Sequence, residues 1–219
     1  MTKNEKDKKK VSRIKAQKKV WYRITAPKLF GQKEIGEAYL ATPTAAVGRL
    51  MKINLKELTG NVKDQNAYAR FVISGVSGST LITENVGYEL TASYVKRMVR
   101  KNADRMDDYM VFVSKDGKKI MLKTIALTLH KTHRSVQIVI RKHLAAGIKE
   151  ELSKNDFETF LTNVVTMRLQ STLKKKLSKI YPIKELAIRV LQVQGEGTPE
   201  AVFEKDAAEP AAVEEEVEA

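Results

Sequence analysis

YMVFVSKDGKKIMLKTIAL, residues 109–127, sets two β-prone runs on either side of a turn. Residues 109–113 and 120–127 are rich in β-branched, aromatic and large apolar side chains, and Lys115-Asp116-Gly117-Lys118 stands between them. Asp-Gly tolerates the positive φ that a tight hairpin requires, so the two runs are expected to pair as antiparallel strands. Downstream the period changes from two to nearly four. Val136, Ile140, Leu144, Ile148 and Leu152 recur every four residues, and Phe157, Phe160, Leu161, Val164, Val165, Leu169, Leu173 and Leu177 form a second stripe. Two long amphipathic helices should therefore follow the hairpin. Residues 183–193 alternate again as a closing strand, and Gly195 and Gly197 mark its exit.

Upstream of the hairpin, Thr91 can cap a helix with Tyr94, Val95, Met98 and Val99 on one side and Lys96, Arg97, Arg100 and Lys101 over the remainder. The order helix, strand, strand, helix, helix, strand is that of one KH-domain type. A GxxG loop is absent between the last two helices, where Ala145-Ala146-Gly147-Ile148-Lys149 and Ser153-Lys154-Asn155-Asp156 stand instead, which argues against KH-style clamping of a nucleic-acid backbone.

The first half reads as strands. Residues 20–26, VWYRITA, are β-prone and Pro27 stops them. Met51, Ile53 and Leu55 alternate with Lys52, Asn54 and Lys56. Residues 68–74 form a further strand, the glycines and serines of 75–79 a turn or bulge, and 80–83 a short return. No period of 20 to 50 residues recurs, which excludes a solenoid or propeller. The expected class is α+β, with a β-rich N-terminal half (barrel-like or a mixed sheet), then a hairpin, long amphipathic helices and a closing strand.

The 219 residues carry 40 Lys and Arg against 26 Asp and Glu, a net charge of +14. Residues 1–33 account for +10 and residues 196–219 for −8, leaving +12 for the body between them. Residues 1–19 are expected to be a disordered basic tail, 20–194 the globular body, and 195–219 a disordered acidic tail whose Glu, Ala and Pro cannot offset the entropy of ordering. For the acidic tail, solubility competes with a role in screening the basic body from non-specific RNA. The chain has no cysteine, so disulfides, thiolate zinc sites and cysteine nucleophiles are out of the question. It shows neither a signal-peptide stretch nor 18 consecutive apolar residues, so a cytosolic, soluble protein without a membrane partner is expected.

The residues that could carry chemistry do not assemble into a catalytic set. His130, His133 and His143 lie among lysines and arginines that would repel a metal ion, and no acid or cysteine completes their coordination. Neither Gly75-x-x-Gly78 nor Gly195-x-Gly197 has phosphate-loop spacing. Asp107 and Asp108 are adjacent, point apart on any regular element, and read as solvated surface. No enzyme activity, cofactor, metal or small-molecule substrate is expected.

The basic residues are different because they recur. Lys8, Lys9, Lys10, Arg13, Lys15, Lys18 and Lys19 precede the first strand; Arg97, Arg100 and Lys101 follow in the capped helix; Lys131, Arg134, Arg141 and Lys142 flank or enter the first long helix; and Lys174, Lys175 and Lys176 lie in the second. Solubility needs a net charge of magnitude about 2–8, less than the +12 of the body, so the excess points to a phosphate-rich partner and these are its candidate contacts. Positions 174–176 are about 100° apart around a helix and would cover a broad arc. Trp21, Tyr22 and Phe30 are candidates for base stacking, with core packing the expected role.

Three blocks in order carry a resemblance. Trp21-Tyr22-x-x-x-Ala26-Pro27-x-x-Phe30 with Ile35-Gly36 resembles the opening of the archaeal and eukaryotic small-subunit ribosomal protein family S-three-A. His130-x-Thr132-x-Arg134-Ser135-Val136-Gln137-x-x-Ile140-Arg141-Lys142 resembles its central basic helix, and Ile180-Tyr181-Pro182 followed by Arg189 its closing strand. The short chain with an acid-rich end is similar to archaeal members. The resemblance implies a structural, non-catalytic component of the cytoplasmic ribosome that binds small-subunit ribosomal RNA at the platform, near the messenger exit and the RNA 3′ end. Its implied neighbours are other small-subunit proteins and messenger RNA. Trp21, Tyr22, Arg134, Arg141, Lys142 and Arg189 match the family's motif positions, the charged ones as phosphate contacts, whereas His143 stands where a lysine is usual.

Overall fold

The computed structural model describes residues 18–196, so the expected basic run through Lys8, Lys9, Lys10, Arg13 and Lys15, and the acidic end from 197, lie outside the described residues. Among the described residues, eight strands and five α-helices follow one another in runs, strands predominating first and helices α3 to α5 grouped before the last strand, which is the order of an α+β protein. The strands are β1 (Val20–Thr25), β2 (Glu34–Leu40), β3 (Leu50–Asn54), β4 (Ala67–Ser77), β5 (Thr80–Leu90), β6 (Arg105–Val113), β7 (Lys118–Thr128) and β8 (Ile183–Glu196). The helices are α1 (Leu55–Thr59), α2 (Ala92–Met98), α3 (Arg134–Lys154), α4 (Phe157–Val165) and α5 (Arg168–Leu177).

All eight strands join one open mixed sheet, so of the two expected arrangements the mixed sheet is the one formed. Its main path runs β2-β1-β5-β8-β7-β6, and β4 and β3 branch from β5. Strand β5 is the junction: its first residues pair with β1 in parallel, its last with β8 in antiparallel fashion, and β4 follows its other edge.

The hairpin turns at Asp116-Gly117, as expected. Gly117 has φ +73, its N–H bonds the carbonyl of Ser114, and the Ser114 N–H bonds the carbonyl of Lys118. This is a three-residue loop with glycine in the left-handed position. The register then continues unbroken from Val113 opposite Lys119 to Arg105 opposite Leu127.

Cross-strand rows show how the sheet is sided. Ile53, Ala69, Tyr88, Leu191, Leu122 and Met110 lie opposite one another across six strands, and the first five are buried while Met110 packs against them. They share one core with Ile140, Leu144, Ile148 and Leu152 of α3, Phe157, Phe160, Leu161 and Val164 of α4, and Leu169, Leu173 and Leu177 of α5. Full burial of each such side chain contributes about 1.5–3 kcal/mol before the entropy of ordering it. A second cluster of Ile24, Leu40, Ala46, Ile73 and Leu81 closes the N-terminal end, with Tyr22 packed on it.

Several expected boundaries shift. Leu55 does not continue a strand: Asn54 accepts the N–H of Lys56 through its side chain and starts α1, where Leu55 and Leu58 are buried. The return at residues 80–83 is instead an eleven-residue strand, and the turn is confined to Ser77–Thr80, with the bulge between Ile73 and Gly75. The helix after Thr91 ends at Met98, so Val99, Arg100 and Lys101 lie beyond it. The second long helix is two helices, broken at Thr166 and Met167, with Met167 at φ +58. The buried positions explain that break, because from Val164 to Leu169 is five residues, too many for one face of a continuous helix. Gln170, 3% exposed, donates through Nε2 to the carbonyl of Val164, which also accepts the backbone N–H of Met167 at the break. The closing strand also runs past its expected end, and Gly195 is part of it, opposite Lys119.

Candidate nucleic-acid interface

Helix α3 organises the charged surface. Burial of Ile140, Leu144, Ile148 and Leu152 fixes its orientation, and Arg134, Ile138, Arg141 and Lys142 then follow one another on its exposed side at helical spacing. Among the described residues neither Arg134 nor Lys142 has an ion-pair partner. Arg141 does: its Nε lies 3.0 Å from Asp108 Oδ1 on β6, a carboxylate that competes with any phosphate for the same guanidinium.

The loop that leads into α3 is tied by one carboxylate. Asp104 accepts the backbone N–H of Thr132, the Thr132 hydroxyl and the Gln137 amide, and Thr128 joins the backbone of Asp104 to the carbonyl of His130. The N–H of Thr132, its hydroxyl, the Gln137 amide and the charge of Lys131 together hold the Asp104 carboxyl below the usual carboxylate range. Lys131 is exposed beside this knot. Nothing in the sequence spacing marks Asp104, which lies 28 residues from Thr132 and meets it only through the pairing of β6 with β7. The two acids read as solvated surface separate in role. Asp107 pairs with Arg105 at 2.7 Å, while Asp108, its side chain 16% exposed, has its carboxyl pushed up by burial against the opposing pull of Arg141.

The remaining candidates are dispersed. Arg97 lies over the Tyr94 ring and donates to Asn66 Oδ1 at 2.8 Å, with Arg100 and Lys101 exposed just beyond the helix. No hydrogen bond or ion pair among the described residues links this group to the α3 stripe. On α5, Lys174 donates to the carbonyl of Lys184 at 2.6 Å and Lys176 faces Glu150 at 3.6 Å, which leaves Lys175 as the one of the three without a hydrogen-bond or ion-pair partner among the described residues. Arg189 is exposed where the register of β8 on β7 slips between Ile188 and Val190. Lys18 and Lys19 are exposed at the entry to β1.

The aromatic expectations divide. Phe30 is buried against Phe71 with ring centroids 5.7 Å apart, and Tyr22 packs on the smaller cluster. Trp21 does not pack in the core: it is 60% exposed and stacked on Tyr39, itself 51% exposed, at 4.8 Å. The reason is strand parity, since Ile24 must face inward and Trp21 then falls on the opposite face.

The ordered arrangement of an opening strand, a basic α3 and a closing strand coincides with a family match over residues 6–196, to the Ribosomal S3Ae family. The chain belongs to that family. It is accordingly a ribosomal protein, a structural constituent of the translation machinery and not an enzyme. Among similar proteins, the small ribosomal subunit protein eS1 of Methanothermobacter thermautotrophicus is 33% identical over 177 residues, covering 80% of this chain and 91% of that protein. That of Methanoculleus marisnigri is 34% identical over 170 residues, 78% of this chain and 86% of its own length. The eS1 protein of Saccharolobus islandicus is 31% identical over 175 residues, covering 80% and 84% respectively. This S3Ae-family chain contains no helix, among the described residues, long and apolar enough to cross a membrane.

Proposed function

We propose that this S3Ae-family chain is built into the small subunit of cytoplasmic ribosomes, where it binds ribosomal RNA near the platform and the messenger exit and contacts neighbouring small-subunit proteins. The observation that carries the RNA-binding part is the exposed stripe of Arg134, Arg141 and Lys142 on α3, held at its start by the Asp104 knot. Such a row positions a protein on phosphates without reading bases, and its affinity falls as salt rises. Arg97, Arg100, Lys101, Lys131 and Lys175 extend the contact, and the run from Lys8 to Lys19 follows phosphates further along the same RNA. The relatives named for the small subunit support its location.

The test is twofold. In sucrose gradients of lysate the chain should sediment with the small subunit, and its absence from that peak would replace this reading with an RNA-binding regulator acting off the ribosome. With purified full-length protein, Arg134→Ala and Lys142→Ala should each lower the salt slope of RNA binding by about 0.7–0.9. Lys174→Ala, whose ammonium gives one of its three donors to the Lys184 carbonyl, should lower it by less.

A further inference from the structure

The face of the sheet turned away from the core carries a feature that the α3 stripe does not account for. Two cross-strand rows lie on it: Asn54, Tyr68, Glu89, Val190, Lys123 and Tyr109, and beside them Lys52, Arg70, Gly87, Gln192, Met121 and Val111. The same face continues through Ile82, opposite Thr25, to Arg23 and Trp21 on β1 and to Tyr39 on β2. Three of its tyrosines each have a lysine ammonium over the ring. Lys52 lies 4.6 Å from the centroid of Tyr68, Lys19 lies 5.7 Å from Tyr39, and Lys123 lies 5.9 Å from Tyr109.

Resting on the RNA-binding reading above, we propose that this face is a stacking platform for an unpaired stretch of RNA, separate from the phosphate-binding stripe of α3. A base has an apolar face and a charged backbone beside it, and each tyrosine-lysine pair offers a ring for the one and an ammonium for the other. Trp21 stacked on Tyr39 widens the first station. Tyr68 and Tyr109 are four strands apart, about 19 Å at normal strand spacing, a gap that a few extended nucleotides bridge. The charge of the two rows favours RNA over a basic protein: three cations, Lys52, Arg70 and Lys123, stand against Glu89 alone. Arg70 and Lys52 already hold that carboxylate, Lys52 at 3.0 Å. A paired duplex does not fit, because its bases are stacked on one another and its outer surface is phosphate and sugar.

Trp21 is the one tryptophan of the chain, so its fluorescence reports the first station directly. Purified full-length protein titrated at about 0.1 M salt with a short unpaired RNA should show quenched Trp21 emission, and a fully paired RNA of the same length should not quench it. Tyr39→Ala and Tyr109→Ala should each weaken binding of the unpaired RNA by at least about fivefold, the lower end of base-aromatic stacking, while duplex affinity stays unchanged. Both sites are more than half exposed, and an unaltered thermal unfolding profile confirms that the core is intact. Unmoved emission together with unaltered affinity in both variants overturns the platform, and Lys142→Ala weakening the same RNA would then leave the α3 reading standing. If neither RNA form binds, both readings fall.

Discussion

Asp104 Oδ2 accepts the backbone N–H of Thr132 at 2.6 Å, so a residue at the foot of β6 fixes the loop that launches α3. These hydrogen bonds favour the ionised carboxylate, whose folded-state pKa lies below its ordinary value of about 3.9. The stability they confer is present above that unfolded value and is lost as pH falls through the folded one. Asp104→Asn should therefore lower the urea midpoint at neutral pH, with the difference from the parent shrinking as the pH is taken below about 4. A midpoint difference that persists undiminished in acid would show that the carboxylate charge is not what ties the loop.

Asp108 behaves in the opposite sense. Burial raises its carboxyl, and repulsion from Asp107 adds to this, while Arg141 draws it down. A carboxyl with a raised folded pKa costs stability above that pKa and costs nothing below the unfolded one, so the penalty is fully present at neutral pH. Asp108→Asn removes it and frees Arg141. The expected outcome is an unchanged or higher melting temperature at neutral pH and tighter RNA binding with a salt slope steeper by about 0.7–0.9. Melting and salt-titrated binding on the one variant check both halves, and a clear loss of stability would mean that the ion pair outweighs the desolvation of Asp108.

Gly87 lies where β5 meets β8, and a Cβ there would run into the backbone carbonyl oxygen of Leu191. Backbone held by the β7–β8 ladder cannot give way as a side-chain tip can. Gly87→Ala should cost on the order of 3 kcal/mol, the upper part of the range for forced overpacking. A Cβ at Gly75, on the neighbouring strand, would meet nothing within 4 Å, and Gly75→Ala should change stability by no more than about 1 kcal/mol. Denaturant unfolding of the two variants side by side checks this, and equal effects would refute the close approach.

What the sequence made legible were features set by local chemistry. Asp116-Gly117 fixed the hairpin, Thr91 the start of α2, and the fourfold recurrence from Val136 the length of α3. What it concealed depends on residues distant in the chain. Alternation cannot tell whether Leu55 ends a strand or opens a helix, because both bury it, and the decision rests with the Asn54 side chain. The exposure of Trp21 follows from which face of β1 meets the core, which no local pattern states. Of the candidate contacts, the α3 residues came together as their spacing implied, whereas Lys174 and Lys176 were drawn to partners on β8 and α3. The lysine-tyrosine pairs of the outer face join residues that only sheet register brings together.

The break between α4 and α5 can be tested at the residue that makes it. Met167 adopts φ +58, where an L side chain costs roughly 1–2 kcal/mol and glycine almost nothing. Replacing Met167 by glycine or by alanine removes much the same side-chain contact, so the comparison of the two isolates the backbone. Within a regular helix alanine is favoured over glycine by about 0.8–1.0 kcal/mol. At position 167 the order should invert, with Met167→Gly more stable than Met167→Ala by about 1 kcal/mol. Thr172, exposed in the middle of α5, is the control at which alanine should remain the better residue. If alanine wins at both positions in denaturant unfolding, residues 157–177 form one continuous helix in solution, and the five-residue step from Val164 to Leu169 would have to be taken up by shifting one of the two out of the core.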